Sequence, residues 1–326
     1  MASGFTVATN EHLIRSNLWS RQLKELLLDD LNAMRFVRVL TDFPDGTTLN
    51  IPSIGEAETA DFAEGQAIKY NKMDTGNFVF SFDQYKYSAA SISAKFKRDS
   101  YYASDVISAF IPRQHRALME AVEARIFSRP TAGQTLANPN VINNADHRWV
   151  GTGTPVNTIA LKDFAKALYA LQKAQVPLVN LVAVVDPSVA YAIQTLSGVT
   201  SLLSPMPMWE DVIQSSMVTG FKFRFNLYGF DVYISNYLTQ NTATEAITPT
   251  GGSILTASIG AFNNLFFSAA PGDTCPFVGG FRQMPTVFSE FNKDLQQEEY
   301  VTIAEYGFKL YRPENMVVVL TDATVI

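Results

Sequence analysis

The side chains able to do chemistry are few and scattered. The three histidines, His12, His115 and His147, stand far apart, and no His-Glu-x-x-His or comparable ligand spacing joins them. Each reads as a surface or capping residue rather than as a ligand or base. The single cysteine lies in Gly272-Asp273-Thr274-Cys275-Pro276 with no histidine near it in sequence, and reads as a buried, inert thiol. One cysteine excludes an internal disulfide and any multi-cysteine metal site. Gly151-Thr152-Gly153 lacks the third glycine of a dinucleotide loop and does not stand between a strand and a helix. There is no Gly-Lys-Ser/Thr phosphate loop and no Gly-x-Ser-x-Gly elbow. Glu56, Glu58, Asp61 and Glu64 have the chemistry to bind a divalent cation, but their Gly- and Ala-rich surroundings read as a solvated loop tip. The sequence therefore assigns no catalytic, cofactor-binding or metal-binding residue, and no enzyme is expected.

What the chain has in excess is apolar surface. Its 326 residues predict about two domains. Charged residues make up 17%, against a usual ~25%. A folded monomer of this composition has a surface weakly defended against association. With aromatics at 12%, much of its outside is expected to become an inside once partners are found. No run of 18 apolar residues exists; the longest lie near Leu181–Val185 and Met316–Leu320, so no membrane span is expected. The start, Met1-Ala2-Ser3-Gly4-Phe5-Thr6, has no basic region followed by an apolar block, so no secretory signal is read and a reducing cytosol is the simplest setting. A net charge of −6 argues against a dedicated nucleic-acid binder, whose affinity would come from neutralising phosphates.

Residues 1–40 read as an arm with one helix, its apolar stripe formed by Leu18, Leu23, Leu26, Leu27 and Leu31. That helix packs either on its own domain or on a neighbouring subunit; the polar residues 1–12 favour the neighbour. In residues 44–98, Pro44-Asp45-Gly46 signals a turn and Ile51-Pro52-Ser53 an extended piece. Phe78, Phe80 and Phe82 follow with period two. After a slip at Asp83-Gln84 the pattern continues through Tyr85, Tyr87, Ile92, Ala94 and Phe96. A two-stranded ribbon of this kind is marginal in water unless one face is covered, by its own body or by another chain. Residues 102–129 predict a long helix with Ile107, Phe110, Ile111, Leu118, Val122, Ile126 and Phe127 at helical spacing, kinked or restarted at Pro112. Its arginines, Arg113, Arg116, Arg125 and Arg129, form a solvated face or meet neighbours or an enclosed polyanion. Residues 130–155 are the best boundary. Beyond it, a helix through Phe164 and Leu171, the strand Leu181–Val185, and a helix capped by Asp186 with Pro187 at its first position mark an α+β half. The tail is rich in strands: Val301-Thr302-Ile303, Phe308–Tyr311 and Val317–Leu320.

In this order the parts resemble the major capsid protein of tailed bacteriophages, the Hong Kong 97-like capsid fold, over nearly the full length. The resemblance rests on the arm, the extended loop and the long helix. It also rests on Leu181-Val182-Ala183-Val184-Val185-Asp186-Pro187-Ser188, Gly229-Phe230-Asp231-Val232-Tyr233-Ile234-Ser235-Asn236, Glu305-Tyr306-Gly307-Phe308 and Arg312-Pro313-Glu314-Asn315. It implies an N-terminal arm (1–44), an E-loop (45–98), a peripheral (P) domain with a spine helix (99–154 and 285–326) and an axial (A) domain (155–284). It implies a structural protein that self-assembles into hexamers and pentamers of an icosahedral head around double-stranded DNA, in the virion, after assembly in the bacterial cytoplasm. Leu18, Trp19, Phe62, Lys69, Lys72, Phe78, Phe80, Phe82 and Tyr85 are the expected contacts between subunits.

The implied partners are copies of itself, a portal, DNA held weakly and without sequence preference, and room for a decoration protein. No cofactor or membrane is implied. Because the chain reaches its arm almost at once, a separate scaffolding protein is expected, or the chain is already the mature form. Lys69 and Lys72 lie in the loop that carries the cross-linking lysine of some members, but no partnered catalytic glutamate can be located, so self-cross-linking is not expected. Two rival readings remain: an encapsulin-like nanocompartment shell, and a cytosolic hydrolase using Cys275.

Overall fold

A computed structural model gives the chain a mixed α+β fold. It describes residues 33–40, 48–55, 75–100, 103–131, 138–153, 157–195 and 223–322, with Leu31, Asp61, Glu64, Gly65 and Ala67 besides. Most of the expected arm helix, and with it Leu18 and Trp19, lies outside these residues, as do Phe62, Lys69 and Lys72. In chain order the first elements are β1 (Val37–Val39), β2 (Thr48–Ile54), β3 (Thr75–Ser81), β4 (Gln84–Ser93), α1 (Ala94–Asp99) and α2 (Ala103–Phe127). Next come β5 (Val141–Ile142), β6 (Ala145–Asp146), β7 (Arg148–Val150), α3 (Leu161–Lys173), β8 (Leu181–Val185) and α4 (Pro187–Thr195). Last are β9 (Phe223–Leu227), β10 (Phe230–Ile234), β11 (Glu245–Ile247), β12 (Leu255–Ala257), β13 (Phe262–Ser268), β14 (Phe277–Asn292), β15 (Gln297–Leu310) and β16 (Val317–Thr321).

A six-stranded sheet in the order β7-β16-β13-β8-β10-β9 forms the centre. Its strands β8 and β16 are apolar without alternation because both faces are covered. On one face Val182, Val184, Leu265, Phe267, Val318 and Leu320 join Leu118, Val122 and Ile126 of α2 in a core. On the other, Ala183, Val185, Phe266, Val317 and Val319 pack with Phe164 and Leu171 of α3 and Ile193 of α4. There the Phe164 and Phe230 rings meet Phe266 edge-on, at 5.1 and 5.4 Å between centroids. The Asp186 cap forms as expected: its Oδ2 accepts from Ser188 N at 2.9 Å and Ser188 Oγ at 2.6 Å.

The second sheet has the order β1-β14-β15-β4. β14 and β15 form a long hairpin, and β15 pairs with β4 from Gln297↔Ser93 to Tyr306↔Gln84. Helix α2 lies against this sheet. Gln114 Nε2 donates to Tyr300 O at 3.3 Å, and Thr302 Oγ1 donates to Gln114 Oε1 at 3.0 Å. Pro112 sits inside α2, which runs on through it as one helix.

Three expectations change. The ribbon is β2 paired with β3, from Thr48↔Ser81 to Ile54↔Thr75, whereas β4 leaves it to join β15. Ala94 and Phe96 do not continue a strand. They belong to α1, because Ser93 Oγ accepts from Phe96 N at 3.2 Å and starts a helix there. His147 is neither a surface nor a capping residue. It is 1% exposed, its Nδ1 lies 3.1 Å from Ala145 O, and burial lowers its pKa. Its neighbours hid this, because the flanking charges are themselves buried and paired: Arg148 with Glu245, and Asp146 with Lys166 at 3.1 Å. The segments 99–154 and 285–326 also give β7 and β16 to the central sheet, beside β8, β10 and β13.

Candidate subunit-contact surfaces

The ribbon's aromatic residues divide by what covers them. Phe80 is fully buried within its own chain. Its ring packs edge-on to Phe82 at 5.3 Å and lies over Gly307 of β15. That corrects the expectation that Phe80 waits for a sister copy. Period two shows which residues share a face, not which partner covers it. Phe78 and Phe82 are half-buried, and the Phe78 and Tyr311 rings meet edge to face with their centroids 5.0 Å apart.

Tyr85 and Tyr87 differ. They are 64% and 69% exposed on β4. In register across the sheet, Tyr87 stands beside Ile303 and Thr286, and Ala89 beside Val301 and Phe288, which is 51% exposed. Thr302, Ala304 and Tyr306 alternate to the buried side, beneath α2. The outer side is thus a band of Tyr85, Tyr87, Val301, Ile303 and Phe288. It is flanked by Glu305 at one end and by Glu290 and Glu299, which are paired in register, at the other. Hydrogen bonds from Gln297 and Asn292 hold Glu299 below its usual carboxylate pKa, so it stays charged.

The same sheet has an open edge. On the edge of β14 facing away from β15, β1 pairs only with Phe277–Gly279, and among the described residues no strand lies along Gly280–Asn292 on that edge. Pro285 and register shifts between Phe281 and Thr286 interrupt it, as edge strands often are.

The residues with reactive chemistry do not converge. Cys275 is buried, its Sγ donates to Phe36 O at 2.9 Å, and burial raises its pKa. His115 is exposed on α2 and His147 is buried in the central body. Glu56 and Glu58 lie outside the described residues, while Asp61 and Glu64 are exposed. Among the described residues no three His, Cys, Asp or Glu side chains gather to hold a metal, and no helix is long and apolar enough to cross a membrane. Gly153 serves close chain approach: its N–H donates to Thr158 O at 2.7 Å, where a Cβ would stand 2.5 Å from Thr158 Oγ1. Two of the α2 arginines are paired inside the chain, Arg116 with Glu120 at 3.0 Å and Arg125 with Asp83. Sequence reasoning missed Glu123, a 2% exposed carboxylate on α2; its only signal was an acid beside Val122 in the apolar stripe.

The family model described as phage capsid protein matches residues 81–319. The chain belongs to the phage capsid protein family. The fold of this capsid protein is similar to solved structures across almost its whole length. A structure titled Mycobacterium phage Che8 has a TM-score of 0.65 at 17% identity, covering 93% of this chain and 96% of that one. The capsid of cyanophage P-SCSP1u gives 0.67 at 15% identity, covering 99% and 96%. The capsid of Ralstonia phage GP4 gives 0.66 at 12% identity, covering 99% of both. No curated protein matches the sequence. The fold is Hong Kong 97-like and the capsid protein's role is structural. The match to the phage capsid family model disfavours the nanocompartment reading. The outer band and the open edge lie on residues 81–319, the part that carries the family match.

Proposed function

We propose that this capsid protein is the repeating unit of an icosahedral head, packed as hexamers and pentamers around double-stranded DNA. The observation that carries the reading is the exposed band of Tyr85, Tyr87 and Phe288, on a sheet whose outer β14 edge is unpaired beyond Gly279 among the described residues. A surface that apolar gains stability by burial against copies of itself. Individually weak contacts become stable through ring and lattice closure. Residues 1–44 act as the arm, 45–98 as the E-loop, 99–154 and 285–326 as the P domain and 155–284 as the A domain. Leu18, Trp19, Phe62, Lys69 and Lys72 meet neighbours, as do Tyr85 and the open sides of Phe78 and Phe82. The net charge of −6 suits a wall that does not hold DNA tightly. Scaffolding and portal proteins are the expected partners, no cofactor takes part, and assembly takes place in the host cytoplasm.

The test is to express the chain with residues 55–74 deleted, which spares β2 and β3, and to examine it by negative-stain electron microscopy beside the intact chain. Shells from the intact chain and soluble, folded but unassembled protein from the deletion are the expected pair. Normal shells from the deletion would remove the loop from the mechanism. A stable monomer from the intact chain, with or without phage lysate, would remove the reading itself.

A further inference from the structure

The root of the β2–β3 ribbon is fixed to the body at three places within six residues. Phe80 is seated over Gly307, where a Cβ would stand 2.6 Å from Ser81 O and 3.1 Å from Phe82 Cα. Only glycine on β15 lets the ribbon cross there. Lys309 Nζ donates to Val79 O at 2.8 Å and lies 5.0 Å over the Phe78 ring, which meets the Tyr311 ring edge to face. Asp83, at the corner between β3 and β4, pairs with Arg125 on α2. A loop waiting only for neighbours needs none of these contacts.

We propose that this root is a latch, which holds the ribbon at a set angle to the sheet and makes it follow α2. The two kinds of catch do different work. The buried Phe80 ring supplies the hold, because withdrawing it exposes a full aromatic side chain to water. The Asp83–Arg125 pair is partly solvated on both sides and contributes little hold. It supplies direction, because Arg125 stands one residue before the buried Ile126 and so ties the corner to the axis of α2. In the released state Phe80 and the groove over Gly307 both face solvent, so the ribbon has two discrete positions rather than a continuum.

The latch is a property of the single chain, and its test does not require shells. Hydrogen exchange is followed by mass spectrometry on the unassembled full chain and three variants. In the wild type, the amides of Gly76–Ser81 are expected to be protected to a degree comparable with β4. Gly307→Ala should raise their exchange by about tenfold while leaving β8 and β13 unchanged. Lys309→Met and Arg125→Gln, which introduce no backbone clash, should each raise it by about threefold. Loop-rate exchange of these amides in the wild type overturns the latch, as does Gly307→Ala with unchanged ribbon protection. If Gly307→Ala also strips protection from β8 and β13, the chain has unfolded and Lys309→Met decides. Faster exchange confined to the ribbon then supports the latch, and wild-type rates overturn it.

Discussion

Ser235 Oγ donates a 3.0 Å hydrogen bond to Glu123 Oε1, and this joins α2 to the end of β10. The other carboxylate oxygen, Oε2, accepts from Ala33 N at 3.5 Å, four residues before β1. One buried carboxylate therefore ties three segments that are far apart in sequence. Replacing Glu123 by Ala strands both donors, and a buried donor left unsatisfied costs ~1–3 kcal/mol. Glu123→Ala should lower the urea midpoint accordingly, and Ser235→Ala should lower it less. Equal midpoints for wild type and Glu123→Ala would show that the junction contributes nothing.

The buried and exposed aromatics should separate stability from assembly. Phe164→Ala empties the middle of the second core and should cost ~3–5 kcal/mol. Tyr87→Ala removes a side chain that the monomer leaves in water, so the unfolding free energy read from urea titration should change by no more than ~0.5 kcal/mol. Its effect should appear as lost shell formation by light scattering and electron microscopy.

The Arg148–Glu245 pair is buried on both sides and links β7 to β11. Removing one partner leaves the other as an uncompensated buried charge, at ~3–5 kcal/mol. Arg148→Met alone should therefore be worse than Arg148→Met with Glu245→Leu, in which neither charge remains. A double variant as unstable as the single one would show that the pair stabilises by more than mutual compensation.

His147 predicts an acid-sensitive slope. Burial holds its folded pKa below the ordinary 6.5, so below that value the unfolded chain binds the proton more readily than the folded one. Stability from this group is complete above the unfolded pKa and is lost as pH falls through the folded one. Denaturant midpoints measured from neutral pH downward should fall faster for the wild type than for His147→Gln. Parallel curves would exclude the effect.

What the sequence made legible was whatever the chain decides locally. Pro187 after Asp186 announced the start of α4, and the unbroken apolar run Leu181–Val185 announced a strand covered on both faces. The spacing from Leu118 to Phe127 announced the buried stripe of α2. What depended on distant partners was hidden. Nothing near Tyr85 says that β4 pairs with a strand more than two hundred residues away, and nothing near Gly307 says that the ribbon crosses there. Arg148 looks like a surface residue until Glu245, nearly a hundred residues on, is brought to it. Of the expected contact residues, Tyr85 and Phe80 were alike legible only as members of a face. Phe80 was misread because a covered face and an awaiting face have the same period.

The three residues of β1 occupy one end of the outer edge of β14, and among the described residues nothing else pairs with that edge. That asymmetry gives the edge a polarity. A strand added from outside can approach from the Asn292 end but runs into β1 at Gly279, so the stop that fixes how far it slides is built by the chain's own leading segment. For any strand added there, alignment would be set by a physical barrier, whatever side chains the newcomer brings.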